Sequence, residues 1–122
     1  MTGWQCMTRQ AFVFLFVLFA GFGLAPAQGA DMHPGRALAL DGAKGHCIAC
    51  HGMPTLTGIV AAGNAGPPLI AMSARIPDRA RLRAWVWDAT ALAPGSFMPP
   101  YGRHRILSED EIDLIVDFIY GL

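Results

Sequence analysis

The chain has 122 residues, room for one small domain, and its nine Lys and Arg balance nine Asp and Glu for a formal net charge of zero. Nucleic-acid binders need a basic face to neutralise phosphates, and this balance excludes that class. Hydrophobic residues make up 53% of the chain, a fraction inflated by its first thirty residues.

There, Arg9 precedes the unbroken apolar run AFVFLFVLFAGFGLA, and APAQ follows. A weakly positive start, an apolar centre and small residues at Ala25 and Ala27 predict a signal peptide over 1–27, cleaved near Ala27 and directing export to the periplasm. Cleavage after Ala30 and an uncleaved anchor are the alternatives. The run falls short of the roughly twenty apolar residues that a membrane span needs. Cys6 leaves with the signal. The expected mature domain, 28–122, then carries Cys47 and Cys50 as its only thiols. A domain of that size buries little apolar surface for its chain entropy and often needs a staple.

Pro34 suits the first turn of a helix, and GRALALDGAKG offers Leu38, Ala39 and Gly42 on one face before Gly45 ends it. The cysteine motif GHCIACHGMP follows directly. From Gly52 to Gly66 the residues show no lasting periodicity and predict a loop. GPPL, Gly66 to Leu69, is stiffened by Pro67 and Pro68. A second helix is predicted over PDRARLRAWVWDATAL, capped by Asp78, with Leu82, Trp85, Val86 and Ala89 at helical spacing. APGSFMPPYG is a loop pinned by three prolines. In the last helix Ser108 and Glu111 form a capping box, while Ile112, Ile115, Val116 and Ile119 line one face. Nothing reads as a strand, so the expectation is an all-α domain of three to four helices. Its loops are long and rich in glycine for so small a domain, which calls for something large at the centre.

Three chemistries compete for Cys47 and Cys50. A thioredoxin-like couple wants a strand before it and a sheet around it. Structural zinc wants four ligands, and His33, His46 and His104 stand singly in the sequence. Covalent haem c is the third, because C-x-x-C-H is its attachment pattern. Two thiols about one helical turn apart can each reach one vinyl group of a porphyrin, and His51 then lies beneath the iron. The macrocycle also supplies the apolar centre that the chain lacks. One covalent haem c is the expectation.

Met53 lies too close to His51 to reach the opposite face, whereas Met72 and Met98 can. Pro99 and Pro100 hold the Met98 loop, which favours Met98 as the second metal ligand and leaves Met72 as packing. A histidine pair is the alternative; otherwise His33, His46 and His104 are expected to face solvent. A ligating histidine usually donates its other ring N–H to a carbonyl. Pro67 can offer one, with Leu69 against the haem face. Trp85 is expected in the core. Trp87 points elsewhere, with a propionate, a partner or ordinary partial burial as its options. Arg79 and Arg83 share a face that reads as solvated.

The order of helix, CIACH, GPPL, methionine loop and terminal helix resembles the class I c-type cytochromes across the whole mature chain. More narrowly, three segments and their spacing resemble the SoxX family, mono-haem subunits of the SoxAX cytochromes of bacterial sulfur oxidation. They are CIACHGMP, GNAGPPLIAMSARIPDRARLRAWVWDAT and MPPYGRHRILSEDEIDLIVDFIYGL. The first is common among haem c proteins; the other two are more specific. Ala93 and Tyr101 stand where that family is expected to carry Asn and Phe.

The resemblance implies that Cys47 and Cys50 carry the haem, that His51 and Met98 ligate its iron, and that the first and last helices cross. It implies a SoxA-like cytochrome partner in a heterodimer that couples thiosulfate oxidatively to a cysteine of the carrier SoxYZ, an L-cysteine S-thiosulfotransferase activity. The catalytic site would lie on the partner, while this subunit passes electrons to an acceptor cytochrome. A free-standing periplasmic mono-haem carrier and a haem-based gas sensor are the competing functions.

Overall fold

The computed structural model describes residues 32–59 and 61–122, so the predicted signal peptide lies outside the described residues. Four helices appear in chain order: α1 (Pro34–Leu40), α2 (Met72–Arg75), α3 (Arg79–Leu92) and α4 (Glu109–Tyr120). A short 3-10 turn, Cys47–Ala49, holds the first thiol. Among the described residues there is no strand, and the domain is all-α as expected. No helix among them is long and apolar enough to cross a membrane.

The ends of α4 follow from its sequence. The Ser108 hydroxyl accepts from Glu111 N–H while the Glu111 carboxylate accepts from Ser108 N–H, which satisfies two donors that the helix itself leaves open. Glu109, Asp110 and Glu111 place negative charge at the positive end of the helix dipole. Ile112, Ile115, Val116, Phe118 and Ile119 are buried. Against this face α1 packs most extensively and α3 next. At the α1 contact Gly35 admits no side chain, since a Cβ there would lie 2.0 Å from the Leu114 carbonyl oxygen.

Helix α1 stops at Leu40, five residues before the predicted end at Gly45, and leaves Gly42 outside. The Asp41 carboxylate accepts from Ala43 N–H at 2.8 Å, and its carbonyl accepts from Lys44 and His46 N–H. This Asx turn competes with the helix for the same backbone groups. His33 faces inward rather than to solvent: its Nδ1 accepts from Gly35 N–H at 3.1 Å, capping α1, and its ring stands 6.0 Å from Phe118.

Arg79 and Arg83 are not a free solvated face. Arg79 pairs with Asp117 at 2.5 Å, and Arg83 with Asp113 at 2.7 Å and with Glu109, stitching α3 to α4. Helix α3 is capped by Asp78 as predicted but is not continuous, for Asp88 has extended backbone within it.

Candidate haem site

The segments flanking the cysteines enclose one cavity of about 500 Å³. Its walls come from four places: the cysteine segment, the proline turn with α2, the Met98 loop, and the inner faces of α3 and α4. Leu69, Met72, Leu82, Val86, Ile115 and Ile119 make much of it apolar.

On the first wall, Cys47 is buried and Cys50 exposed, and both are free thiols. Burial pushes the Cys47 thiol up to about 11, so it is neutral at physiological pH. His51 N–H bonds to the Cys47 carbonyl at 2.9 Å, which folds the motif into a tight turn.

The His51 ring is fixed from behind. Its Nδ1 lies 2.7 Å from the Pro67 carbonyl oxygen. A carbonyl can only accept, so Nδ1 carries a proton, and in the neutral ring this leaves the lone pair on Nε2, the tautomer a metal-ligating imidazole requires. Gly66 must lack a side chain, because a Cβ there would stand 2.4 Å from the His51 ring.

The glycine-rich loop has a definite job here. Gly63 N–H donates to Ile48 O, Gly66 N–H to Cys50 O and Leu69 N–H to Gly52 O, each at 2.8 Å. These bonds lay the loop along the cysteine segment and bring Pro67 to His51. Leu69, 7% exposed, is buried in the cavity wall.

Met98 lines the wall contributed by its loop and is half-buried, and Met72 lines the cavity from α2. Tyr101, three residues after Met98, donates its hydroxyl to the Gly45 carbonyl and so ties the methionine loop to the cysteine segment. Burial raises that phenol to about 12. Arg75 donates to the Pro68 carbonyl at 2.7 Å and bears on the Met72 sulfur.

Trp85 is half-buried and lines the cavity, rather than lying in the core as its spacing suggests. Trp87 donates its indole N–H to Glu109 at 3.1 Å. His46 sits at the cavity edge in a left-handed conformation (φ 46°), and His104 is exposed. No local sequence pattern signals the roles of Tyr101 and Arg75, whose partners lie elsewhere in the chain. The hydrogen bond from Tyr101 to Gly45 is one that the expected Phe could not make. Among the described residues no three His, Cys, Asp or Glu side chains cluster to hold a metal ion, so the Cys47–Cys50 pair has no second half of a zinc site.

Two thiols, an imidazole with its metal-binding nitrogen available and a thioether thus meet at one apolar cavity, and this donor set fits a covalently held porphyrin. The helical fold and this site define a c-type cytochrome domain. Residues 30–119 match the family model described as cytochrome C oxidase, cbb3-type, subunit III, and the chain belongs to that family. It is a SoxX-like cytochrome. The crystal structure of SoxXA from P. pantotrophus is similar with a TM-score of 0.64, at 26% identity over 70% of this chain and 77% of that one. No curated protein matches the chain in sequence.

Proposed function

We propose that this chain is an exported electron-relay subunit in which Cys47 and Cys50 would hold a single haem c and His51 and Met98 would ligate its iron. The observation that carries the reading is the Nδ1–H to Pro67 hydrogen bond, made by an imidazole on the wall of a thiol-lined apolar cavity. When bound, haem c supplies a one-electron couple at iron, which methionine ligation raises in potential.

The chain's own residues set the conditions for that couple. Pro67 and Gly66 fix the rotation and tautomer of His51. Leu69, Leu82, Val86 and Ile115 keep water from the cavity, and a dry site lowers the solvent rearrangement that accompanies a change of charge. Pro99 and Pro100 restrict the backbone next to Met98, so the thioether loses little freedom in reaching the metal. Cys47 and Cys50 would fix the group in two thioethers and staple a domain with a small core.

The partner in this proposal is a SoxA-like haem subunit, consistent with the likeness to the solved SoxXA structure. Forming the sulfur–sulfur bond between thiosulfate and a SoxYZ cysteine removes two electrons at the partner's site. This subunit accepts them one at a time and passes them to an acceptor cytochrome in the periplasm. The test is to produce the chain with and without the SoxA-like protein of the same organism, then add thiosulfate and SoxYZ. The proposal expects one haem in this chain, a stable heterodimer, and haem reduction only when the partner is present. Direct reduction of the isolated chain by thiosulfate, or failure of the two to associate, contradicts it.

A further inference from the structure

We infer that Asp88 is a positioning residue for the methionine ligand: it breaks α3 and uses the break to clamp the far end of the Met98 loop. The inference rests on the reading of Met98 as an iron ligand.

At Asp88 the backbone leaves the helix (φ −156°, ψ 91°), and the residue is buried at 6% exposure. Its carboxylate restarts the helix beyond the break. One oxygen accepts from the Thr90 backbone N–H at 3.0 Å and from the Thr90 hydroxyl. The other pairs with the Arg103 guanidinium Nε at 2.9 Å, and Arg103 also donates to the Thr90 hydroxyl at 3.2 Å. The break frees the Trp87 carbonyl from its helical partner. Gly102 N–H takes it at 3.0 Å, with a longer contact from Arg103 N–H at 3.4 Å. The Trp87 indole packs directly over Gly102. Backbone and side chain of the same short stretch of α3 therefore hold Gly102 and Arg103.

These residues follow Met98 closely, and the link between them is stiff. Pro99 and Pro100 fix two φ angles, Tyr101 N–H bonds to Pro99 O at 2.9 Å, and His104 N–H bonds to Pro100 O at 3.0 Å. Upstream of Met98 the hydrogen bonds are local: Ser96 N–H to Ala93 O and Met98 N–H to the Ser96 hydroxyl. Phe97 is fully exposed. The loop is thus anchored to the body of the domain on its downstream side, and a rigid connector carries that anchorage back to the thioether. A role confined to α3 would need neither the ion pair to Arg103 nor the Trp87–Gly102 bond.

The test uses the haem-loaded full chain as wild type, Arg103→Ala, Arg103→Lys, Asp88→Asn and Met98→Ala. The readouts are the methionine–iron charge-transfer absorption of the ferric protein and the rate of cyanide binding, with far-ultraviolet circular dichroism to follow the fold. Arg103 is half exposed, so its removal leaves the core intact. Arg103→Ala should speed cyanide entry about fivefold, the effect of losing one partly exposed ion pair on loop opening. Arg103→Lys should recover most of the wild-type rate, and Asp88→Asn should exceed Arg103→Ala. If Asp88→Asn does not fold, the two Arg103 variants decide the matter alone. Wild-type cyanide kinetics in Arg103→Ala, with the absorption lost in Met98→Ala, overturns the clamp and leaves the ligand assignment standing. Absorption that survives in Met98→Ala overturns the ligand assignment and the clamp with it.

Discussion

The Tyr101 hydroxyl donates to the Gly45 carbonyl, joining the loop of Met98 to the segment of Cys47 across 56 residues of sequence. Both groups are buried, and Tyr101 is 8% exposed. Removing the donor leaves a buried carbonyl without its partner, at a cost of about 1–2 kcal/mol. Tyr101→Phe should therefore lower the thermal midpoint by roughly 5–10 °C while retaining covalent haem. A midpoint within a degree of wild type would show that water replaces the hydroxyl.

Met98→Ala should keep the haem attached, lower its reduction potential and admit cyanide or carbon monoxide rapidly. Axial ligation spans roughly 0.8 V across haem proteins, so the fall should be a sizeable fraction of that range and easily read by redox titration. An unchanged potential with continued ligand exclusion would transfer the role to Met72 or to a histidine.

Gly66→Ala tests the support behind His51. A Cβ at this position would lie 2.4 Å from the ring, too close for the His51–Pro67 hydrogen bond to survive as it stands. Overpacking of this kind costs about 1–3 kcal/mol, and here the strain falls on the imidazole proposed to ligate iron. The variant should show a shifted potential and reduced haem loading, measured by haem content per polypeptide. Wild-type loading and potential would mean that the proline turn yields without disturbing the ring.

Acid should weaken the domain through three carboxylates. The Arg83 hydrogen bond, followed by that of the Trp87 indole, holds the Glu109 carboxyl below the usual range. Lys44 does the same for Glu111, and the Thr90 hydroxyl, with Arg103 in support, for Asp88. A depressed carboxyl binds fewer protons in the native state than in the unfolded one. Its stabilisation is present above about pH 4 and is lost as pH falls through and below that range. Thermal midpoints between pH 6 and pH 2 should be flat at first and then fall. Arg83→Gln should make the fall shallower, because Glu109 loses the cation that holds its carboxyl down.

What the sequence showed best was local chemistry repeated in a short span. Ser108 and Glu111 mark the start of α4 because a capping box is read from four consecutive residues, and the apolar face of that helix recurs at a regular interval. The cysteine–histidine motif named its own cofactor class for the same reason, and the proline turn suggested a carbonyl for the imidazole. Other features depend on partners distant in the chain. The break in α3 turns on Arg103, fifteen residues beyond Asp88, whereas the early end of α1 is local, set by an Asx bond from Asp41 to Ala43 that apolar periodicity does not register. Periodicity predicted a continuous helix through Asp88, because side chains arriving from another loop leave no trace in the local pattern. Trp85 shows the same limit. Its spacing marks an inward-facing residue but does not distinguish a packed core from the wall of a cavity.

The central claim is that this domain holds one haem through the thiols of Cys47 and Cys50. The most direct measurement is the intact mass of the mature protein, produced where cytochrome maturation machinery is present and extracted with acidified acetone. The account predicts a coloured polypeptide that retains the added mass of one haem, lost when both cysteines are replaced by serine. A colourless product with the mass of its amino acids alone would contradict it.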